Sequence, residues 1–185
     1  MAVTPESVLW EGGDNMGGIG KWAYYCDLDA DIATLGATLN LDTASNFAGL
    51  ANIQAQHTFN SGKGWKKLYT QRLSGEIKSE SQGELDGMSH KSSLVVGVPG
   101  ARAEGIGFLR WAANRNLIML GTDAEDANRQ VGSVRYPAKY ETGSMTTTTT
   151  PEGLKITFMT FSAPDNGAAP LYPFDIVIEE GSSGS

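Results

Sequence analysis

The sequence has little of what catalytic and metal-binding sites are usually built from. It contains one cysteine, Cys26, and two histidines, His57 and His90. A single cysteine excludes a disulfide within the chain and fits a reducing compartment, and these three residues have no zinc-site spacing. A Ser–His–acid triad remains formally possible, but no Gly-x-Ser-x-Gly motif accompanies it. We therefore expect no enzyme, no metal and no cofactor.

Basic residues and long apolar runs are also scarce. The chain has 14 Lys and Arg against 21 Asp and Glu, a formal net charge of −7, and charged residues make up only 19%. Gripping nucleic acid requires clustered Lys and Arg, so this balance argues against a protein that does so. The low charge favours a surface that is partly covered by neighbouring subunits. No apolar stretch approaches the ~20 residues that span a bilayer, so we expect no membrane association.

The length of 185 residues fits one domain over residues 1–185. The start, "MAVTPESVLW", lacks the basic region and apolar run of a secretory signal. We expect a flexible N-terminal arm over residues 1–22, with a glycine-rich loop at 12–20, and a flexible tail, "GSSGS", at 181–185. The loop does not match a phosphate-binding motif, because Asn15 and Trp22 occupy positions that need glycine and Ser or Thr.

What the sequence does have is 23 glycines and short β-prone runs broken by Gly and Ser. Strands are predicted in "KWAYYCDL", "GWKKLYTQRL", "SGEIKSESQ", "HKSSLVVGVPG", "NLIMLGT" (buried) and "YPFDIVIEE". A short helix is predicted near Ser45. The fold class is therefore mainly β or α+β, with two packed antiparallel sheets, as a sandwich or open barrel, and one flanking helix.

That flanking helix is predicted over residues 102–115, in "GARAEGIGFLRWAANRN". Ile106, Leu109 and Ala113 share one face at helical spacing, which Phe108, Trp111 and Ala112 widen. Gly105 and Gly107 each cost roughly 1 kcal/mol relative to alanine in a helix. Two such residues suggest that another backbone approaches the helix closely.

The stretch "MTTTTTPEGLKITFMTF", residues 145–161, predicts a β-hairpin over Ser144–Phe161. Threonine is β-branched and favours extended backbone, and Pro151-Glu152-Gly153 suits a turn. In the second strand, Ile156, Phe158 and Thr160 alternate with mixed residues and are expected to form the apolar face.

Three other groups of residues have a possible chemistry that we weigh against an ordinary structural role. The turn with Asp123, Glu125 and Asp126 lacks the glycine and terminal glutamate of a calcium loop, so a solvated hairpin turn is favoured. Alternate acids at Asp27, Asp29 and Asp31 leave a metal possible, but a surface loop is favoured. The tryptophans could stack on sugars or bases, yet burial is the default; they are Trp10, Trp22, Trp65 and Trp111.

Two long runs resemble the tail tube proteins of tailed bacteriophages. They are "SGEIKSESQGELDGMSHKSSLVVGVPGARAEGIGFLRWAANRNLIMLGTD" and "QVGSVRYPAKYETGSMTTTTTPEGLKITFMTFSAPDNGAAPLYPFDI". The likeness lies in a strand block, one helix, a hairpin with Glu141-Thr142-Gly143 and a late strand pair. "WAYYCDLDADIATL" is similar to the opening strand of such proteins.

This resemblance implies a virion structural protein that forms rings, expected to be hexameric, stacked into a hollow tube. Strands of adjacent subunits would complete one inner barrel, through which genomic DNA passes without specific binding. Partners would be other copies and other tail proteins, and the location the virion tail, after assembly in the host cytoplasm. Alternatives are another tail, neck or baseplate component, a carbohydrate-binding β-sandwich or, last, an enzyme.

The candidate residues for self-assembly come from the hairpin and the helix. They are Thr146, Thr147, Thr148, Thr149, Ile156, Phe158, Trp111 and Gly105.

Overall fold

A computed structural model describes residues 17–71, 74–100, 102–146 and 155–179, together with Val3 and Ser7. Within these residues ten strands and two helices follow one another along the chain. They are β1 (Ile19–Asp27), β2 (Ile32–Thr34), α1 (Phe47–Ala51), β3 (Thr58–Phe59), β4 (Lys66–Tyr69), β5 (Glu76–Gln82), β6 (Ser89–Pro99), α2 (Ala103–Ala112), β7 (Leu117–Asp123), β8 (Asn128–Val131), β9 (Lys139–Thr146) and β10 (Ile156–Asp165).

Two four-stranded antiparallel sheets form the body of the fold. The front sheet has the strand order β5-β6-β10-β9, and the back sheet has the order β4-β1-β7-β8. Within each sheet every neighbouring pair is antiparallel. Strands β2 and β3 form a separate two-stranded pair. The predicted class, mainly β with two packed antiparallel sheets and a helix, is confirmed.

The main core lies between the inner faces of the two sheets. Leu94 and Val96 of β6 and Met159 and Phe161 of β10 meet Met119 of β7, and all five are fully buried. Successive residues of a strand point to opposite faces, so alternate residues of β6 and β10 enter this core. The opposite faces of these two strands form the outer surface of the front sheet.

A second core lies on the other face of the back sheet. Ile118 and Leu120 of β7 pack there with Cys26, Trp65 and Tyr172. The back sheet is therefore buried on both faces, which explains why β7 is apolar at consecutive positions. Its prediction as a buried strand is confirmed, as is the packing role of Cys26.

Helix α2 is shorter than predicted, running over Ala103–Ala112 rather than 102–115. Its buried side is formed by Phe108, Leu109, Trp111 and Ala112, which pack on the main core. Phe108 reaches Tyr25 with a ring-centroid distance of 4.8 Å. Ile106 and Ala113 were predicted on the buried face but are exposed, Ile106 by 46%. The buried face of the helix is therefore rotated from the predicted one, away from Ile106 and toward Phe108.

The proposed close backbone approach at the two helix glycines is not found. A Cβ added at Gly105 or Gly107 would meet no atom within 4 Å among the described residues. Neither glycine is therefore required by a close contact among the described residues.

The predicted face of the second hairpin strand is wrong by one residue. In β10 the residues that enter the main core are Met159, Phe161 and Ala163, not Phe158 and Thr160, which are only half-buried. Ile156 is 3% exposed despite lying on the other face, because its side chain packs against Gly97 at the end of β6. Apolar residues occur at both odd and even positions of this strand, so alternation alone could not predict which face is buried.

Two further predictions are corrected at the ends of the chain. The arm over residues 1–22 is too long, because β1 already begins at Ile19. The segment "YPFDIVIEE" makes one isolated bridge among the described residues, Ile178 with Trp65, rather than a strand in a sheet, and Leu171 just before it bridges Asn52 and Arg129. The remaining arm residues, apart from Val3, Ser7, Gly17 and Gly18, lie outside the described residues, as does the tail at 181–185.

Candidate assembly surface

The outer surface of the front sheet, here the front face, is polar and charge-balanced. It carries residues of all four strands, which alternate with the residues in the main core. Lys78 pairs with Glu80 at 2.7 Å, and Lys91 pairs with Glu141 across β10. Hydroxyl groups on this face include those of Ser93, Thr142, Ser144, Thr160 and Ser162. The front face is thus rich in hydroxyls, and its charges are largely paired.

Strands β5 and β9 are the two edges of this sheet. Among the described residues β9 pairs only with β10, and β5 only with β6. Nearly all side chains of β9 and most of those of β5 are exposed. An edge strand presents unpaired N–H and C=O groups that another chain can join.

The hydrogen bonds at one end of the sheet show which backbone groups of β9 point outward. The N–H of Gly100 donates to the carbonyl of Lys155 at 2.8 Å, so the next hydrogen-bonded pair of β6 and β10 is Val98 with Thr157. Successive residues of a strand direct their backbone groups to opposite sides. Residues 156, 158 and 160 of β10 therefore bond to 146, 144 and 142 of β9. Gly143 and Met145 direct their N–H and C=O to the open edge.

The same alternation identifies the outward groups of β5. The carbonyl of Gly97 in β6 points away from β10, where it accepts from the N–H of Gln71 at 2.7 Å. Residues two apart in a strand direct their backbone groups to the same side, so those of residues 95 and 93 point toward β5. These residues pair with Glu76 and Lys78. Ile77, Ser79 and Ser81 consequently point their backbone groups away from the sheet.

The structure brings together only part of the predicted assembly set. Thr146 ends β9 opposite Ile156, and Phe158 lies on the front face opposite Ser144. Trp111 and Gly105 lie on α2, not on the hairpin. Thr147, Thr148 and Thr149, like the turn at 151–153, fall outside the described residues.

The edge strand β5 was missed as part of the surface. Its sequence, "EIKSESQ", predicted a strand with polar alternation, which is confirmed. Whether this strand lies at an edge depends on which strands pair with it, and the local sequence does not predict that.

The acidic segment after β1 is a buried ionic corner rather than a surface loop. Asp27 and Asp31 are each only 4% exposed. Asp27 Oδ2 accepts from Arg115 Nη1 at 2.7 Å, and Asp31 Oδ2 accepts from Lys66 Nζ at 2.7 Å. Lys66 also pairs with Glu179 at 2.6 Å. Buried carboxylates need such partners, and here they join β1, β4 and the C-terminal segment. The surface-loop interpretation is therefore wrong for Asp27 and Asp31.

The ion pairs of Glu179 predict a specific pH dependence of stability. Its hydrogen bond to Lys66, with a weaker one to Lys63, holds the pKa of Glu179 below its ordinary value of 4.5. A depressed carboxyl pKa stabilises the fold above that value, and the contribution is lost as pH falls through the folded-state pKa. We expect Glu179→Gln to lower the free energy of unfolding by about 1–2 kcal/mol at pH 7.

Chemical denaturation between pH 7 and pH 3 tests this expectation. The difference between Glu179→Gln and the unsubstituted chain should shrink below pH 4.5. Glu125→Gln, in the exposed turn between β7 and β8, is the matched control and should change little. A constant difference across the pH range would show that the carboxylate charge is not what stabilises the corner.

The turn at Asp123 is a hairpin turn, as predicted. Asp123 Oδ1 accepts from the N–H groups of Glu125 and Ala127, and its other oxygen contacts Arg129 at 3.3 Å. Asp126 adopts a φ of 63°, a left-handed conformation that aspartate tolerates in turns. The carboxylate of Asp123 is thus used to organise the turn between β7 and β8.

The histidines do not combine into a catalytic group. His57 is buried; its Nδ1 accepts from the N–H of Gly36 at 3.0 Å, and its Nε2 lies 2.7 Å from Gln130 Oε1. The ring is therefore a neutral Nε2–H tautomer, and desolvation lowers the pKa of His57. This arrangement ties β8 to the loop before α1, and both ring nitrogens are used in it.

His90 lies in a cross-strand row with Ser81 and Asp165, the residue types of a hydrolytic triad. Its Nε2 is 3.3 Å from Ser81 Oγ, while its buried Nδ1 has no hydrogen-bond partner among the described residues. Asp165 Oδ1 instead accepts from the N–H of Asn166 at 2.7 Å. The contact that would orient the imidazole is not made.

The described tryptophans offer no open stacking platform. Trp65 is fully buried. Trp111 stacks on Phe108, and the Arg115 guanidinium lies 4.7 Å from its ring centroid. The ring of Trp22 is approached by lysine side chains. Trp10 lies outside the described residues. A sugar-binding role gains no support from these rings.

Comparisons with protein-family models, with curated proteins and with solved structures found no match. Neither helix of the described part of the chain is long and apolar enough to cross a membrane. Within the same residues no group of three or more His, Cys, Asp or Glu side chains is arranged to hold a metal ion.

Proposed function

We propose that copies of this chain join side by side into a ring and that the chain is the major tail tube subunit of a tailed bacteriophage. The observation that carries the proposal is the front sheet. Its two edge strands have open outer sides, and its front face is polar and exposed among the described residues. The resemblance in sequence supports the more specific identity.

The strand order allows the two edges to pair with each other between copies. The front sheet has four strands in strict antiparallel alternation, so β5 and β9 run in opposite directions. If copies are related by rotation about an axis roughly parallel to the strands, β9 of one meets β5 of the next in antiparallel orientation. Such a head-to-tail contact uses two different surfaces and generates a closed ring when the rotation closes.

The layers behind the front sheet support one choice of interior for the proposed ring. The back sheet, the second core and the C-terminal segment all lie on one side of the front sheet. This bulk fits only on the outside of a closed sheet, so the front face lines the channel. Strands lie about 4.8 Å apart, so about twenty-four strands from six copies would form a ring at least about 37 Å across. That width leaves room for a DNA duplex inside the side chains.

The chemistry of the front face suits the passage of DNA. Of its three lysines, Lys78 and Lys91 are paired with glutamates, and Lys139, opposite Ser162, is exposed and has no ion pair among the described residues. Phosphate binding requires available cations, and a wall with few of them holds the DNA backbone weakly. The face therefore supports a channel with balanced charges.

Negative-stain electron microscopy of the concentrated protein tests the proposal. We expect rings with an open centre, and tubes when the rings stack. Rings that never stack would favour a neck or baseplate component. Monomers at every concentration would contradict the assembly.

A further inference from the structure

We propose that the N-terminal segment, residues 1–16, of one copy binds a cationic–aromatic patch on a neighbouring copy. The patch consists of Lys21 and Trp22 of β1 and Lys67 and Tyr69 of β4. This inference rests on the proposed ring, since it needs a second copy within reach. It assigns a function to two features that the ring does not explain.

The aromatic pair in the patch holds the two lysines in place. Trp22 and Tyr69 face each other across β1 and β4, with ring centroids 5.5 Å apart at an angle of 82°. Lys21 Nζ lies 5.1 Å and Lys67 Nζ 5.5 Å from the centroid of Trp22. Aromatic rings attract ammonium groups over their faces. Two positive charges are thus presented around one indole at the edge of the back sheet.

The patch is open to a partner. Lys21 and Lys67 are exposed, Tyr69 is 41% exposed, and no carboxylate of the described residues forms an ion pair with either lysine. The neighbouring Lys66, in contrast, is paired with Asp31 and Glu179. In a chain of net charge −7, two unpaired lysines beside an exposed tyrosine and a half-buried tryptophan favour an acidic ligand.

The N-terminal segment has the composition that this patch selects. It contains Glu6, Glu11 and Asp14, no lysine or arginine, and the apolar run Val8-Leu9-Trp10. Carboxylates would meet the ammonium groups, and apolar side chains would cover the aromatic rings. The segment joins β1 just before Ile19, and sixteen extended residues reach about 50 Å. That reach is enough to span to an adjacent subunit of a ring.

Zero-length carbodiimide cross-linking of mixed isotopic copies tests the inference. Unlabelled and nitrogen-15-labelled chains are mixed while dilute, concentrated, cross-linked, digested and analysed by mass spectrometry. We expect peptides in which Lys21 or Lys67 of one isotope is joined to Glu6, Glu11 or Asp14 of the other. Cross-links within one isotope only, or none at these lysines, would overturn the proposal.

Charge reversal supplies the second measurement. Lys21→Glu/Lys67→Glu should weaken self-association, followed by sedimentation, about tenfold, and adding Glu6→Lys, Glu11→Lys and Asp14→Lys should restore it. Arg102→Glu/Arg110→Glu on α2 makes the same change in net charge and should have little effect. No restoration would count against a direct contact.

Three further outcomes separate this inference from its rivals. Rings that form without the cross-links would leave the proposed function standing and remove this contact. Absence of rings, with cross-links between isotopes in smaller oligomers, would remove the ring and keep the contact. Binding of a labelled single-stranded oligonucleotide that Lys21→Glu/Lys67→Glu abolishes would assign the patch to nucleic acid instead.

Discussion

Replacing Phe161 with alanine is expected to lower the free energy of unfolding by about 3–5 kcal/mol, the cost of a large cavity in a packed core. Phe161 is fully buried between the two sheets. Its ring lies 5.8 Å from that of Tyr140 and 6.1 Å from that of Phe108 on α2. The substitution therefore removes contacts to the front sheet and the helix together.

Phe158→Ala is the matched control for this prediction. Phe158 is three residues away in the same strand but lies half-buried on the front face. We expect the free energy of unfolding to fall by about 1 kcal/mol or less, because removing a half-buried ring at the surface leaves little cavity in the core. Urea denaturation of both variants measures the difference. Equal losses, or a larger loss for Phe158→Ala, would show that the strand faces the other way.

Met145→Pro is expected to abolish assembly while leaving the subunit folded. The N–H of residue 145 points to the open edge of β9, so proline removes an outward donor and no hydrogen bond of the front sheet. If β9 pairs with β5 of the next copy, that ladder is broken in every subunit contact. We expect the association constant to fall at least about a hundredfold and the thermal midpoint of the monomer to change little.

Three comparison variants make this result specific. Met145→Thr removes the exposed methionine but keeps the N–H, so it should assemble. Ser81→Pro removes an outward donor of β5, the opposite edge, and should fail like Met145→Pro. Ser144→Pro removes a ladder donor to β10 and should destabilise the fold itself. Rings formed by both edge variants would rule out pairing between β5 and β9.

Sequence patterns predicted elements well wherever one residue type dominated a segment. The run Leu117–Leu120 indicated a buried strand, and in the structure it contributes to a core on each face of the back sheet. The C-terminal segment shows the limit of such patterns. Phe174, Ile176 and Ile178 do alternate toward the second core, as a strand would. These residues nevertheless form no strand within the described part of the chain. The only bridge among them there is Ile178 with Trp65, and a β-ladder needs a partner strand along its whole length.

The assembly surface could be predicted only in part for a related reason. The hairpin of β9 and β10 is local in sequence, and its second strand was predicted. Of the predicted first strand only residues 144–146 lie among the described residues, where they end β9, which begins earlier, at Lys139. Whether Phe158 or Phe161 entered the core depended on pairing with β6, because both residues are apolar. The status of β5 and β9 as edges follows from the whole strand order. Local propensity carries no information about such distant choices.

The position of the C-terminal segment bears on how the chain folds during synthesis. The second core, around Trp65 and Cys26, is closed by Tyr172 and by the alternating residues that follow it. The N–H of Glu179 donates to the carbonyl of Trp65 at 3.0 Å, more than a hundred residues earlier in the chain. Contacts of such sequence separation form late, because the intervening loop must close first. A nascent chain therefore carries one face of its back sheet uncovered until residues 171–179 leave the ribosome, and this interval is when the subunit is most exposed to aggregation.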